Sequence, residues 1–333
     1  MKKVGINGLG RIGRLALRQY VIDPPENIDI VAINDLIPVD ELAYLLKYDS
    51  IHGKAPFHIE AGPDYLDLDE KRIYVTSIPD PSKIPWSERD VKVVLECTGR
   101  FTKREKAKGH LEGGAAKVII SAPSESADIS IVMGVNEKEY DPLKHSIISN
   151  ASCTTNSMAP VLKVLNESLG IVYVMATTVH AYTSSQTLVD SPLSKRRRGR
   201  AGAFSLIPTS TGAAKATALV LPELKGKLDA IAVRVPIPDG ALTDMVVHFE
   251  SDVSVAEINN ILKRASEEEL RNIIEYNDEE IVSADILGNP HSGVVDGPST
   301  RVLQNRVAKI LVWYDNEYGY SRRMIDVANF ISR

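Results

Sequence analysis

The chain has 333 residues, of which 44% are hydrophobic and 25% are charged, and this composition is typical of a globular protein of about two domains. A formal net charge of -5 at pH 7 gives the whole molecule no attraction for nucleic acid or for an anionic membrane. Two cysteines are too few for a disulfide framework, the N-terminus lacks the apolar stretch of a signal peptide, and no apolar run reaches the ~18 residues of a membrane-spanning helix, so we expect a cytoplasmic protein with no membrane partner.

A glycine-rich segment near the N-terminus follows a short apolar run. Residues 3–7 predict a strand, GLGRIG (8–13) follows at once, and apolar residues then recur at helical spacing. A second predicted strand, 28–33, ends at Asp35. Such a turn brings a pyrophosphate close to the helix N-terminus, and an acid after the second strand can bind a ribose 2′-hydroxyl and repel a 2′-phosphate. The order predicts a dinucleotide site that prefers NAD to NADP; an ordinary βα turn with an incidental aspartate is the alternative.

Later segments show a change of pattern near residue 151. Apolar runs at 91–99, 116–123 and 129–136 continue the α/β alternation, and we expect this sheet to close near 145–152. Beyond it, long strand-like segments dominate, at 172–183, 229–238, 242–251 and 307–315. This shift predicts a second, α+β domain with a largely antiparallel sheet.

Cys153 stands where a long helix, Thr154 to Leu169, is predicted to begin. Ser152 is a suitable N-cap, so the thiol is expected to meet the positive end of the helix dipole, which lowers a thiol pKa and favours the nucleophilic thiolate. Cys97, embedded in an apolar strand, better fits a small buried hydrophobic residue. The local sequence leaves that interpretation open for Cys153 too.

A thiolate needs a base, and His180 is the best-placed of the seven histidines because it ends the strand after the Cys153 helix. The start of a helix and the end of the next strand can lie at the same edge of a sheet when one glycine-terminated turn joins them. Cys153 and His180 are therefore predicted to meet. A buried core histidine is the alternative interpretation.

Groups that bind anions are frequent in the second half of the chain. They are Thr183, the basic run 195–200, the segment 209–212 before a predicted helix, and Arg234 within a strand. Hydroxyls, helix-terminal amides and arginines are typical phosphate ligands, so two phosphates are expected to bind here. The basic run also suggests RNA binding, but it lacks interleaved aromatic residues. A solvated charged loop is the other alternative.

Seven segments occur in a recognisable order along nearly the whole chain: NGLGRIGR, ASCTTN, HAYT, STGAAKA, LPELKGKL, RVP and WYDNEYGYS. In this order they resemble the phosphorylating glyceraldehyde-3-phosphate dehydrogenase family. The resemblance implies the α/β class, with a Rossmann-type parallel-sheet NAD-binding domain at 1–151 to which the C-terminal helix 317–333 returns, and a catalytic domain at 152–316. It also implies a homotetramer and a role in glycolysis.

The same resemblance assigns roles to residues and predicts no metal site. Cys153 corresponds to the nucleophile and His180 to its base. Cofactor contacts are expected from Gly8, Gly10, Arg11, Ile12, Asp35, Ser121 and Asn316, with Pro192 typical of the NAD-preferring form. Phosphate contacts are expected from Ser152, Thr154, Thr211 and Gly212 for inorganic phosphate, and from Thr183, Arg234 and Arg197 for the substrate, with Arg198 the alternative to Arg197.

The implied reaction oxidises glyceraldehyde 3-phosphate to 1,3-bisphosphoglycerate through a thioester on Cys153. Three departures from the family pattern are present: Ser157 replaces a second cysteine, Asp239 stands at a usual asparagine, and IYVTSIPDP lacks an adenine-side arginine. Dual use of NADP therefore stays open. The alternatives are an erythrose-4-phosphate dehydrogenase, which transfers the acyl group to water, and an RNA-binding protein acting through loop 195–200.

Overall fold

The computed structural model describes residues 1–333, which form two compact units. The first unit contains Met1–Ile131, Glu137–Ala151 and Ser321–Arg333, and the second contains Val132–Asn136 and Ser152–Tyr320. None of the helices combines the length and the hydrophobicity that crossing a membrane requires.

The first unit is built on a nine-stranded sheet. Its elements are β1 (Lys2–Asn7), α1 (Arg11–Ile22), β2 (Ile28–Asn34), α2 (Val39–Lys47), β3 (Tyr48–Asp49), β4 (Gly53–Lys54), β5 (Ile59–Ala61), β6 (Tyr65–Leu68), β7 (Lys71–Thr76), β8 (Val93–Glu96), α3 (Arg104–Ala107), α4 (Gly109–Glu112), β9 (Lys117–Ile120), β10 (Ile129–Ser130) and β11 (Ile147–Ser149). The strand order is β10-β11-β9-β8-β1-β2-β7-β6-β5, with β3 and β4 forming a separate hairpin.

Parallel pairing runs from β10 to β7, and only the edge strands β6 and β5 pair antiparallel. All four residues of β8 are buried, as expected for a parallel strand covered on both faces. The predicted Rossmann-type sheet is confirmed. The last strand of this sheet along the chain is β11, within the predicted segment 145–152. One detail of the prediction is wrong: the apolar run 129–136 forms only the two-residue strand β10.

The second unit contains the elements from residue 153 to residue 314. They are α5 (Cys153–Leu169), β12 (Ile171–Ala181), β13 (Ile207–Ser210), α6 (Ala213–Val220), β14 (Leu228–Val235), β15 (Ala241–Phe249), α7 (Val255–Glu267), β16 (Ile274–Asn277), β17 (Gly293–Asp296), β18 (Arg301–Leu303) and β19 (Val307–Tyr314). The sheet order is β13-β14-β12-β15-β19-β17-β16, and β18 pairs with β19. All pairings are antiparallel except β12 with β14 and β16 with β17, which confirms a largely antiparallel sheet.

The two faces of this second sheet differ in burial. Helix α5 packs on β15, β17 and β19, while α6 contacts β14 and α7 contacts β16, so the three helices cover one face. The other face leaves Tyr173, Met175 and Ile231 more than 40% exposed, and the strand register places all three on the same side. The catalytic candidates lie on the covered face, because His180 comes five positions after Met175 in the same strand and side chains alternate between the faces.

The C-terminal helix α8 spans Tyr318–Phe330. Its residues from Ser321 onward belong to the first unit. The helix is thus present where the sequence pattern predicts it, within the usual uncertainty of helix ends.

Candidate active site

Cys153 is the first residue of α5, and the local sequence explains why the helix begins there. Ser152 has extended backbone angles, and its Oγ accepts a hydrogen bond from the Thr155 backbone N–H at 3.1 Å. It is therefore the predicted N-cap. Cys153 is only partly buried, whereas Cys97 is buried.

One turn carries the chain from α5 to the strand that bears His180. Gly170 ends α5 with φ +68°, and β12 then runs to Ala181. His180 lies at the carboxyl end of β12, and its Nε2 is 3.4 Å from Cys153 Sγ. The predicted meeting of the cysteine and the histidine is observed.

Arg234 fixes the imidazole of His180 from the neighbouring strand. The parallel register of β12 and β14 places Arg234 directly opposite His180, and Arg234 Nη1 donates to His180 Nδ1 at 2.7 Å and to the Ala181 carbonyl at 2.8 Å. Nδ1 also lies 2.8 Å from the Ala181 carbonyl, which can only accept, whereas the guanidinium can only donate. If Nδ1 accepts from Arg234, the ring hydrogen is on Nε2 and faces Sγ; if Nδ1 donates to Ala181, Nε2 is free to take a proton.

Burial and charge together set the protonation of this pair. Burial, together with the Arg234 charge, lowers the pKa of His180 to about 3, so the imidazole is neutral at physiological pH. Burial also raises the pKa of the Cys153 thiol, although Arg234 and hydrogen bonds with Thr154 act in the opposite direction. The expectation of a lowered thiol pKa is therefore wrong for this structure. Desolvation of the thiol outweighs these opposing effects.

Tyr314 is a site residue that the sequence reasoning missed. Its buried hydroxyl lies 2.9 Å from Thr154 Oγ1 and 2.7 Å from Thr178 Oγ1, and its ring meets His180 edge to face with centroids 5.9 Å apart. Burial raises the pKa of this phenol, so it stays protonated. The signal was present in the segment WYDNEYGYS, but nothing in the strand pattern predicts that Tyr314 reaches α5.

The anion-binding candidates of the second unit occupy two loops and a helix start. Thr183 Oγ1 is 2.8 Å from Ser185 Oγ, and Arg198 donates both to Ser185 Oγ and to Thr209 Oγ1 at 3.3 and 3.0 Å. The Arg198 charge also contributes to the lowered pKa of His180. Arg197 instead is exposed and has one long contact, with the Pro208 carbonyl at 3.5 Å. Arg198 thus has the closer contacts with the candidate phosphate-binding segments, and the choice between Arg197 and Arg198 stays a prediction.

The remaining phosphate candidates lie at the start of α6. Gly212 immediately precedes the helix, and Thr211 Oγ1 accepts from the Ala213 N–H at 3.2 Å. Most of the basic loop is bonded locally, because Lys195 donates to Ser210 Oγ and Arg200 pairs with Asp190. These bonds weaken the RNA-binding alternative.

A cavity of about 250 Å³ opens at the carboxyl ends of the first unit's strands. It is lined by Asn7, Gly8, Gly10, Asn34, Asp35, Leu36, Ile78, Pro79, Cys97, Thr98, Arg100 and Phe101. Gly8 has φ +92°, and a Cβ there would lie 2.9 Å from the Thr98 backbone nitrogen, so only glycine fits. Asp35 Oδ2 accepts from the Leu9 N–H at 2.6 Å, which places its carboxylate at the glycine turn. The cavity has the position and the backbone of a dinucleotide site.

The other cofactor candidates are found near this turn or in the second unit. Arg11 and Ile12 open α1, and Arg11 forms an ion pair with Asp49; despite the opposing effect of burial, this pairing and two backbone N–H groups lower the pKa of Asp49 to about 2. Ser121, just after β9, hydrogen-bonds the thiol of Cys97. In the second unit, the buried amide oxygen of Asn316 has no hydrogen-bond partner in the protein, as expected of a group that binds a ligand.

A parallel-sheet nucleotide-binding unit joined to a unit with a paired cysteine and histidine defines a class of NAD-dependent oxidoreductases. Family models for the two domains of glyceraldehyde 3-phosphate dehydrogenase match this chain, the NAD binding domain over residues 2–104 and the C-terminal domain over residues 152–316. The glyceraldehyde-3-phosphate dehydrogenase of Geobacillus stearothermophilus is 52% identical over 330 residues, covering 99% of this chain and 98% of the relative. Glyceraldehyde-3-phosphate dehydrogenase 2 of Bacillus subtilis is 48% identical over 330 residues, covering 99% and 96%. The chain belongs to the glyceraldehyde-3-phosphate dehydrogenase family.

Proposed function

We propose that this protein oxidises glyceraldehyde 3-phosphate, with NAD and inorganic phosphate, to 1,3-bisphosphoglycerate through a thioester on Cys153. The observation that carries the proposal is the 3.4 Å approach of His180 Nε2 to Cys153 Sγ, with Arg234 bonded to the other ring nitrogen. The names of the relatives support the same substrate. We place the reaction in cytoplasmic glycolysis.

The first step is nucleophilic addition by Cys153. As Sγ attacks the aldehyde carbon, the thiol proton passes to Nε2 of His180 and from there to the carbonyl oxygen, which becomes the hydroxyl of the hemithioacetal. Thr183, Arg198 and Arg234 are proposed to hold the phosphate of the substrate. A phosphate dianion beside Arg234 offsets the cationic charge that lowers the pKa of His180, so substrate binding prepares the imidazole to act as a base.

The base role requires the other tautomer of His180. Nδ1 has a second partner at 2.8 Å, the Ala181 carbonyl. When Arg234 turns to the substrate phosphate, Nδ1–H can donate to this carbonyl, and Nε2 becomes the acceptor that takes the hydroxyl proton of the hemithioacetal. Bound NAD supplies the hydride acceptor for this oxidation.

The second step releases the product. Inorganic phosphate attacks the thioester carbon, and Sγ leaves as a thiolate while the acyl phosphate departs. Ser152, Thr154, Thr211 and Gly212 are proposed to bind the attacking phosphate, since they offer hydroxyls and amides at the starts of α5 and α6.

The chain's residues fit NAD. Gly8 provides a turn that a side chain would fill, and Asn316 provides an unpartnered buried oxygen. In the first unit we propose Gly8, Gly10, Arg11, Ile12, Asp35 and Ser121 as NAD contacts, and in the second unit Asn316. Asp35 favours NAD over NADP because its carboxylate repels a 2′-phosphate.

We further propose a homotetramer. The uncovered face of the second sheet exposes Tyr173, Met175 and Ile231 side by side, and clustered apolar side chains of this kind mark subunit contacts. Light scattering during gel filtration tests this: a tetramer supports the proposal, and a monomer at micromolar concentration contradicts it.

The test of the reaction is NADH formation by the purified protein. Glyceraldehyde 3-phosphate and erythrose 4-phosphate are each supplied with and without inorganic phosphate. We expect fast turnover of the triose that depends strongly on phosphate. Preferred oxidation of erythrose 4-phosphate with water as acyl acceptor would establish the rival dehydrogenase instead.

A further inference from the structure

A buried polar cluster lies directly under the cavity of the first unit, and no step of the proposed reaction uses it. Glu96 ends β8 and is 1% exposed, and His110 in α4 is 0% exposed. Their side chains meet at 2.8 Å between Nε2 and Oε2. The donors to Glu96 come from His110, Asn7 and Thr98, and a buried carboxylate is costly unless such hydrogen bonds satisfy it.

Trp86 determines the tautomer of His110. Its indole Nε1 donates to His110 Nδ1 at 3.1 Å. An indole N–H can only donate, so Nδ1 accepts and the ring hydrogen is on Nε2, where it donates to Glu96 Oε2. The two contacts hold the imidazole in one tautomer and one orientation.

Four donors therefore converge on the carboxylate of Glu96. Oε2 accepts from His110 Nε2 and from Asn7 Nδ2 at 2.6 Å, and Oε1 accepts from the Thr98 backbone N–H at 2.9 Å and from the Thr98 hydroxyl. An ionised carboxylate accepts all four, whereas an acid or an amide cannot. The cluster thus requires Glu96 as an anion.

The donors belong to the walls of the cavity. Asn7 lies opposite Glu96 in the parallel register of β1 and β8 and precedes Gly8, whose position is set by contact with Thr98. Both Asn7 and Thr98 line the cavity, as does Phe101, whose ring meets His110 edge to face. β1 and β8 are neighbours in the sheet, and the strand order continues to β2 beside β1 and to β9 beside β8. The crevice at the carboxyl ends of such a pair is where parallel sheets of this kind bind ligands.

We infer that Glu96 is a positioning residue for the dinucleotide: its carboxylate, oriented by His110 and Trp86, ties the Asn7–Gly8 turn to Thr98 and so sets the floor of the cofactor cavity. The inference rests on the proposal that this cavity holds NAD. It assigns Glu96 no contact with the cofactor and no part in proton transfer.

The test is Glu96→Gln, measured by calorimetric titration with NAD and by steady-state kinetics. A glutamine has one oxygen and one NH₂ group, and the NH₂ group cannot accept. In one orientation it faces the donors of His110 and Asn7, and in the other it faces those of Thr98, so either Asn7 or Thr98 is displaced. We expect Kd and KM for NAD to rise about tenfold, with kcat at saturating NAD and KM for the aldehyde unchanged. A Kd within twofold of the wild-type value overturns the inference, whereas a wild-type protein that binds no NAD overturns the proposed cofactor site itself.

Asp128→Asn is the matched control. Asp128 is also a largely buried carboxylate of the first unit, accepting from the Ser146 and Ile147 N–H groups and pairing with Arg104, but it does not line the cavity. Its substitution should lower the melting temperature and leave the Kd for NAD unchanged. An equal loss of NAD affinity in this variant would show that any buried carboxylate matters, and would overturn the role of Glu96.

Trp86→Phe keeps the inference testable if Glu96→Gln does not fold. Without the indole donor, His110 is free to adopt the tautomer with Nδ1–H, which turns a lone pair toward Glu96. We expect a rise of about threefold in the Kd for NAD with kcat unchanged. In the double variant Glu96→Gln/Trp86→Phe, Nε2 of His110 carries no hydrogen and can accept from the amide introduced at residue 96. The rise in the Kd for NAD should therefore be smaller than the product of the rises in the two single variants. A rise equal to that product contradicts the inference.

Discussion

The two cysteines of the chain show how surroundings decide the use of a side chain. Cys97 follows β8 and Cys153 opens α5, and burial raises the pKa of both thiols. The adjacent Glu96 anion raises the pKa of Cys97 further, while the Arg234 cation lowers that of Cys153. Only Cys153 is partly exposed. Cys153 thus combines a helix start, a neighbouring cation and partial exposure, which is the setting expected of a reactive thiol.

The largest expected effect separates the two thiols directly. Cys153→Ser should lower kcat at least ~10⁴-fold, because a hydroxyl beside a neutral imidazole is a poor nucleophile. Cys97→Ser should keep kcat within about twofold. Steady-state NADH formation measures both. Near-normal turnover in the Cys153 variant would show that Cys153 is not the nucleophile and that the two cysteines do not differ in function.

Removing the partner of Cys153 should have the next largest effect. His180→Asn keeps a polar group of similar size but no base, so kcat should fall by roughly 10²–10⁴-fold. Alkylation of Cys153 by iodoacetamide at pH 7 should also slow, because the Nε2–H no longer stabilises the thiolate. His110→Asn is the comparison variant, and unchanged alkylation of Cys153 is expected in it. A His180 variant with wild-type kcat would assign proton transfer to another group.

Arg234→Leu tests the cation that distinguishes the two cysteines. Its loss should raise the pKa of Cys153 and also that of His180, since Arg234 lowers both. We expect the pH profile of Cys153 alkylation to move to higher pH and the aldehyde KM to rise about tenfold. Arg306→Leu, which removes a surface pair with Asp252, is the control. An unshifted alkylation profile would mean that Arg234 acts only on the substrate.

The smallest effect is expected at Asp239, the carboxylate that raises the pKa of Cys153. Burial and Asp239 together raise the pKa of Asp315 to about 7, above its unfolded value of 3.8. A raised folded pKa gives stability that is complete below pH 3.8 and is lost as the pH rises through 7. Asp239→Asn should therefore stabilise the protein at pH 8 by on the order of 1 kcal/mol and much less at pH 5, as urea denaturation can show. Equal gains at both pH values would rule out carboxylate repulsion.

Local patterns were sufficient for part of this molecule. The glycine turn before α1, the acid after β2 and the start of α5 follow from spacing and capping, and one glycine turn explains why Cys153 meets His180. Long-range packing was not accessible. The contact of Tyr314 with Thr154 joins residues 160 positions apart, and desolvation of the Cys153 thiol depends on all elements around it. The choice of Arg198 over Arg197 depends on the path of an irregular loop, for which no periodicity exists.

The pairing of His180 with Arg234 across β12 and β14 makes the reacting groups dependent on strand alignment. Side chains alternate between the two faces of a sheet, so a slip of β14 by one position would move the guanidinium to the opposite side while every residue of the site remained present. A single-residue insertion early in β14, far from any ligand, is therefore expected to disable the protein as thoroughly as deleting the arginine. Tolerance to length changes should accordingly be lower in this pair of strands than in exposed loops that carry no residue of the site.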